Sequence, residues 1–146
     1  MKVSTDPARA SRVRNSAILY ACIAVGSVLG GVARYLLSLL IQAIPGFPWA
    51  TLFVNVTGSF IIGFYSTLSG PDGRLFASAR QRQFVTTGFC GGYTTFSTFS
   101  LETVKLFAAH MTETALLNIA VSVATWFAAV WVGHVLASRL NRLQGS

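Results

Sequence analysis

Read from its N-terminus, the chain alternates long apolar runs with short polar breaks. The runs cover residues 17–44, 49–69, 84–109 and 114–138. Each reaches the roughly 20 residues needed to cross a hydrocarbon core about 30 Å thick. The pattern predicts an all-α membrane protein with four transmembrane helices per subunit. Pro45, Gly46 and Pro48 make the first break, and residues 70–83, with Pro71, Asp72, Gly73 and three arginines, make the second. The first run holds one charge, Arg34, the second holds none, and the fourth carries only His134 near its end. Residues 1–16 are basic and lack the short apolar core and small-residue cleavage site of a signal peptide, because the apolar stretch behind them is too long. They are expected to be a retained cytoplasmic arm, followed by one membrane domain over residues 17–140 and a short tail over 141–146.

Composition agrees with a membrane setting. Hydrophobic residues make up 53% of the 146 and charged residues 10%, with a mean hydropathy of +0.59. Soluble domains carry about a quarter charged residues. A formal charge of +7 and a pI near 10.3 would suggest nucleic acid in a soluble chain. Here the basic residues lie between apolar runs, so they are topology signals and no nucleic-acid partner is expected. Cys22 and Cys90 sit in apolar surroundings without CxxC or metal-ligand spacing, which predicts structural roles for both.

The basic residues also give an orientation. Lys2, Arg9, Arg12 and Arg14 precede the first run, Arg74, Arg80 and Arg82 separate the second from the third, and Arg139 and Arg142 follow the fourth. Nine of the eleven therefore fall on one side, Arg34 lies inside a run, and Lys105 alone is near the other face. This bias predicts both termini in the cytoplasm. Trp49, Tyr20 and Trp131 are candidate interface anchors. Four helices are too few to enclose a wide pore, so oligomerisation is expected. Gly26-Ser27-Val28-Leu29-Gly30 supplies a GxxxG face for close helix contact, with a specific dimer role one of its uses.

The third run holds a stretch unlike the others: GGYTTFSTF, residues 91–99. In lipid, disrupted backbone is tolerated only when buried in protein or lining a wet cavity. Gly91-Gly92 is therefore expected to break the third helix in mid-membrane, exposing carbonyls that can hold a cation and free N–H groups at the start of the next half-helix. Beyond it, Phe96 and Phe99 share a face, as do Thr95 and Thr98. The alternative is that the hydroxyls bond back to the preceding turn and the rings fill a core; the glycine pair and buried polar residues elsewhere favour a built site. Those residues are Arg34, Asn55, Thr57, Ser59, Glu102, Asn118, Ser122 and Thr125. Asn55 either bonds across to another helix or lines a pore. Arg34 is deep enough in its run to be a functional candidate, drawing anions into a water-filled vestibule. Glu102 either pairs with Lys105 at i,i+3 or marks a pathway end. Asn118, Ser122 and Thr125 form one polar stripe, facing a pore or another helix. His110 and His134 stand alone and are expected to be interfacial, not ligands.

These residues resemble the small four-helix fluoride channels called Fluc or CrcB-like. The resemblance runs through GGVARY at residues 30–35, TLFVNVTG at 51–58 and, above all, TGFCGGYTTFSTFSLET at 87–103, and covers nearly the whole chain after the arm. It implies an antiparallel, dual-topology homodimer in the inner (plasma) membrane with two narrow fluoride pathways. It implies a broken third helix, a pair of pathway phenylalanines at Phe96 and Phe99, a pore-lining Asn55 and a vestibule Arg34. It further implies a central sodium ion on the backbone carbonyls of Gly91 and Thr94 from both subunits, and a polar track through Thr95, Thr98 and Ser122. One track position, often hydroxylic in the family, is Trp126 here. The implied function is passive export of fluoride that accumulates in the cytoplasm as its neutral acid, and protection from its toxicity.

The nine-to-one charge bias predicts fixed insertion instead of dual topology, so a heterodimer with an oppositely biased paralogue stands beside the inverted homodimer. A small-multidrug-type exporter shares the four-helix plan, but its proton coupling wants a carboxylate deep in a span, and Glu102 lies near an end. A non-transporting assembly subunit would leave TTFSTF unexplained. No nucleophile and base stand at plausible spacing, so no enzyme is expected.

Overall fold

A computed structural model describes residues 7–41, 46–71 and 73–142. Lys2, Pro45, Asp72 and the tail residues 143–146 lie outside the described residues. Helix α1 (Pro7–Ile41) begins well before the first apolar run, so Arg9, Arg12 and Arg14 ride on the same helix as the apolar segment. At 1.5 Å per residue it is about 52 Å long, well beyond a hydrocarbon core of about 30 Å. Helix α2 (Trp49–Leu68) matches the second run closely. A third long helix, Thr112–Arg142, contains the fourth run. All three are long and apolar enough to cross a membrane. The chain is a multi-pass, all-helical membrane protein, with no strand among the described residues.

The run expected as one span over residues 84–109 is divided. Ser78 opens it with a capping box: its N–H donates to Gln81 Oε1 at 2.9 Å while its hydroxyl accepts the Gln81 N–H at 3.3 Å. The short helix α3 (Ala79–Gln83) passes into a π-helical stretch, Phe84–Cys90, and a single turn, α4 (Gly91–Tyr93). Thr94 (φ −80°, ψ 158°) and Thr95 (φ −151°, ψ 119°) are then extended, and helix resumes as α5 (Phe96–Ala108). A turn with His110 in the left-handed region (φ 59°) leads into α6 (Thr112–Arg142).

The interruption thus falls at Thr94–Thr95, and the expectation that Gly91-Gly92 would form it is corrected: both are helical, Gly91 at φ −64°, ψ −34°. What Gly92 supplies is room. A Cβ there would lie 2.2 Å from the carbonyl oxygen of Ser27 on α1. The GxxxG face is used in the same contact, since a Cβ at Gly30 would lie 2.1 Å from the Phe89 carbonyl oxygen. That face is filled within the chain by the π-helical stretch and α4, not kept for a dimer. Helix α6 packs along α2. The outer sides remain apolar, with Leu40 76% and Phe127 75% exposed, as lipid-facing positions are.

Candidate functional site: the interruption between α4 and α5

Interrupting a helix frees backbone groups that must find partners away from bulk water. Asn55, buried on α2, meets two of them. Its Nδ2 donates to the Thr95 carbonyl at 2.9 Å, and its Oδ1 accepts the Thr95 N–H at 2.7 Å. That pairing leaves the second Nδ2 hydrogen unused. Thr95 then caps α5, accepting the Thr98 N–H at 3.1 Å and donating its hydroxyl to Thr98 Oγ1 at 2.9 Å. On the other side, Arg34 of α1 donates from Nε to the Gly92 carbonyl at 3.2 Å. Two long helices therefore hold the chain on either side of Thr94, α1 at Gly92 and α2 at Thr95.

Among the carbonyls that lose their ordinary helical donors in this arrangement are those of Gly91 and Thr94. In an unbroken helix Gly91 C=O would take the Thr95 N–H, which here goes to Asn55, and Thr94 C=O would take the Thr98 N–H, which here goes to Thr95 Oγ1. Oxygens released in this way suit a hard cation.

The aromatic pair divides its roles. Phe96 is 70% exposed while Phe99 is buried, with ring centroids 5.6 Å apart. Phe99 also meets Trp126 of α6 edge-on, 5.0 Å away at 75°. A polar chain starts at the same residue. The Phe99 carbonyl accepts from the Thr103 hydroxyl at 2.8 Å, Asn118 Nδ2 donates to Thr103 Oγ1 at 2.9 Å, and Ser122 Oγ donates to Asn118 Oδ1 at 3.3 Å. Asn118 and Ser122 are each only 1% exposed. Asn118→Leu breaks this chain: Thr103 Oγ1 loses the donor it accepts from, keeping its own bond to the Phe99 carbonyl, and the Ser122 hydroxyl loses its acceptor. It is expected to lower stability by about 1–2 kcal/mol, read as a lower melting temperature of the purified protein.

Not every polar candidate joins the site. Thr125 bonds back to Val121 and Ser122 of its own helix, so it leaves the stripe. Thr57 also bonds back, and adds a 2.9 Å contact to the Tyr93 hydroxyl. Glu102, midway along α5, and Lys105 line one cavity, and Glu102 Oε2 is buried without a hydrogen-bond partner among the described residues, so of the two readings of Glu102 a pairing with Lys105 does not occupy this oxygen. His134 Nδ1 lies 2.9 Å from Thr67 Oγ1, tying α6 to α2. Beside the interruption is a cavity of about 220 Å³, lined by Asn55, Ser59, Thr94, Thr95, Phe96 and Trp126.

The sequence profile described as "CrcB-like protein, Camphor Resistance (CrcB)" matches residues 21–134, which include all of this site. The chain belongs to the CrcB-like family. It is 62% identical over 136 residues, 92% of this chain and 96% of the other, to "Fluoride-specific ion channel FluC 1" of Rhodopseudomonas palustris (strain BisB18). It is 59% identical to the protein of the same name from Bradyrhizobium diazoefficiens, over 96% of this chain and 98% of that one. To "Fluoride-specific ion channel FluC" of Opitutus terrae it is 49% identical, over 88% of this chain and 98% of that one. Within this CrcB-like chain, Arg34, Asn55, Thr95, Thr98, Phe96 and Phe99 gather at the interruption, and Ser122 joins them through Asn118 and Thr103. Sequence inspection missed Thr103, although its place one turn beyond Phe99 was a usable signal. It also missed the Gly92 carbonyl as the acceptor for Arg34.

Proposed function

We propose that this chain is a fluoride-selective passive channel, through which cytoplasmic fluoride leaves across the inner membrane down its electrochemical gradient, protecting the cell from fluoride. The observation that carries this reading is the Thr94–Thr95 interruption, held by Asn55 with the exposed Phe96 ring beside it. Fluoride is small and strongly hydrated, so a selective path must replace its water with close donors. The second Asn55 Nδ2 hydrogen and the Thr98 hydroxyl are such donors, and the Thr95 and Ser122 hydroxyls become donors to the ion by turning away from Thr98 Oγ1 and Asn118 Oδ1. Ring edges of Phe96 and Phe99 carry partial positive charge and can face an anion. The Arg34 guanidinium adds a fixed positive charge at the approach, and Glu102 stands midway along α5.

The assembly follows from what one chain leaves open. Residues 79–108 make the remaining crossing as a broken helix, giving four per subunit, and the exposed face of Phe96 is completed by a second subunit. An antiparallel homodimer is the family's arrangement; the basic residues gathered on one side support a heterodimer with an oppositely biased paralogue as the variant to test against it. The released carbonyls of Gly91 and Thr94, taken from both subunits, suit a structural sodium ion. When bound, the ion supplies positive charge that holds the interrupted helices together.

Fluoride efflux from liposomes carrying the purified protein, followed with a fluoride electrode beside chloride-loaded vesicles, tests the reading. Rapid fluoride release with little chloride release is expected. Phe96→Ile keeps the bulk but removes the ring edge, and is expected to slow fluoride release about tenfold or more with the oligomer unchanged on a sizing column. Undiminished release would take Phe96 out of the pathway.

A further inference from the structure

The end of the bundle that gathers the basic residues holds a groove of about 390 Å³, separate from the interruption. Cys22 of α1, Tyr65 near the end of α2, and Phe84 and Val85 of the π-helical stretch line one part of it. Arg80 of α3 and Phe76 of the preceding loop line the rest. Arg80 belongs to the polar break, whereas Cys22 and Val85 lie inside apolar runs. The groove therefore passes from polar to apolar at the level where headgroups give way to hydrocarbon.

The loop beside it is tied down. Asn141 Oδ1 of α6 accepts the Arg74 N–H at 2.9 Å, Asn141 Nδ2 donates to the Thr67 carbonyl at 3.1 Å, and the Leu75 N–H donates to the Leu68 carbonyl at 2.9 Å. A loop so held still leaves Phe76 98% exposed, with Leu75 41% exposed beside it. Apolar side chains displayed in this way mark a surface that meets lipid or a partner. The charge is complementary to one kind of lipid. Nine basic residues share this end with two carboxylates, Asp6 and Asp72. Arg80 is exposed, and its Nη2 donates to Asn15 Oδ1 of α1 at 3.2 Å, a neutral partner that leaves the guanidinium charge uncompensated.

We propose that this groove seats a single anionic phospholipid on each subunit, its phosphate on Arg80 and the start of an acyl chain against Cys22, Phe84 and Val85, with the Phe76 ring beside it. A planar guanidinium matches phosphate oxygens, and a basic pocket between membrane helices is suited to negative headgroups. The inference stands apart from what the pathway carries.

The full-length protein, equilibrated with equal amounts of phosphatidylglycerol and phosphatidylcholine of matched chains, tests it when retained lipid is counted by native mass spectrometry. Retention of phosphatidylglycerol is expected to exceed that of phosphatidylcholine about fivefold. Arg80→Gln is expected to abolish the preference and Arg80→Lys to keep most of it. Phe76→Ser, at a position with no packing to disturb, is expected to weaken retention of both lipids. Arg12→Gln removes a charge from the same end outside the groove and is expected to change nothing. Equal retention of the two lipids by the wild-type protein overturns the inference. So do equal losses in Arg12→Gln and Arg80→Gln, which would mean diffuse surface attraction. A Phe76→Ser protein that keeps its lipid but loses its oligomer on a sizing column also overturns it, by giving the ring to a subunit contact.

Discussion

Asn55→Ala is expected to cost the protein both its fluoride flux and a large part of its stability. The amide satisfies the N–H and the C=O of Thr95 together. Removing it strands the part-buried Thr95 N–H, at about 1–3 kcal/mol, and takes one donor from the Thr95 carbonyl, in surroundings where water is scarce. The cap of α5 begins at the same residue, so Thr95 would lose its anchor as well as its partners. Fluoride efflux and a thermal melt on one preparation separate the two effects. Asn55→Asp keeps an acceptor for the Thr95 N–H but loses the donor to its carbonyl. An intermediate melting temperature and lost flux are expected. A full-rate Asn55→Ala channel would mean that the backbone at the interruption is held by other groups.

Gly92→Val is expected to prevent α4 from docking on α1. Its Cβ would fall 2.2 Å from the Ser27 carbonyl oxygen and 2.9 Å from the Ser27 Cα, so backbone must move and no side chain can yield instead. Overpacking of this kind reaches about 3 kcal/mol, and it would also displace the Gly92 carbonyl from Arg34 Nε. The neighbouring glycine is the control. Nothing lies within 4 Å of a Cβ built at Gly91, so Gly91→Ala is expected to leave the single chain's fold unchanged. Yield of monodisperse protein and melting temperature distinguish the two variants, and equal behaviour would show that the α1 contact is dispensable.

The two glycines also show what was legible in the sequence. Apolar length alone marked α1, α2 and α6, because lipid accepts continuous apolar helix and little else. The same rule located the irregular backbone only to within a few residues. A glycine pair signals either weak helix or close packing, and the deciding fact, the Ser27 carbonyl beside Gly92, is contributed by residues far away in the chain. Asn55 was legible as a residue in need of a partner, but that partner, the Thr95 backbone, was not, because main-chain groups leave no mark in composition. Thr125 misled for the converse reason: helical spacing placed it with Asn118 and Ser122, yet its hydroxyl is satisfied within its own helix. Trp126 stood out only as a departure from a hydroxylic position, and its edge-on contact with Phe99 became visible once α6 lay beside the interruption.

The fit of α1 against the Phe84–Tyr93 segment carries a consequence for how the protein is made. The glycine face of α1 leaves the ribosome roughly sixty residues before the segment that fills it, a delay of several seconds at about 5–20 residues per second. During that interval α1 is inserted with its notch facing lipid, and helix contacts form only afterwards, as a separate stage. Biogenesis at this contact is therefore a docking step between helices already in the bilayer. Chains altered at Gly30 or Gly92 would stall there, inserted but unassembled, as substrates for membrane quality control.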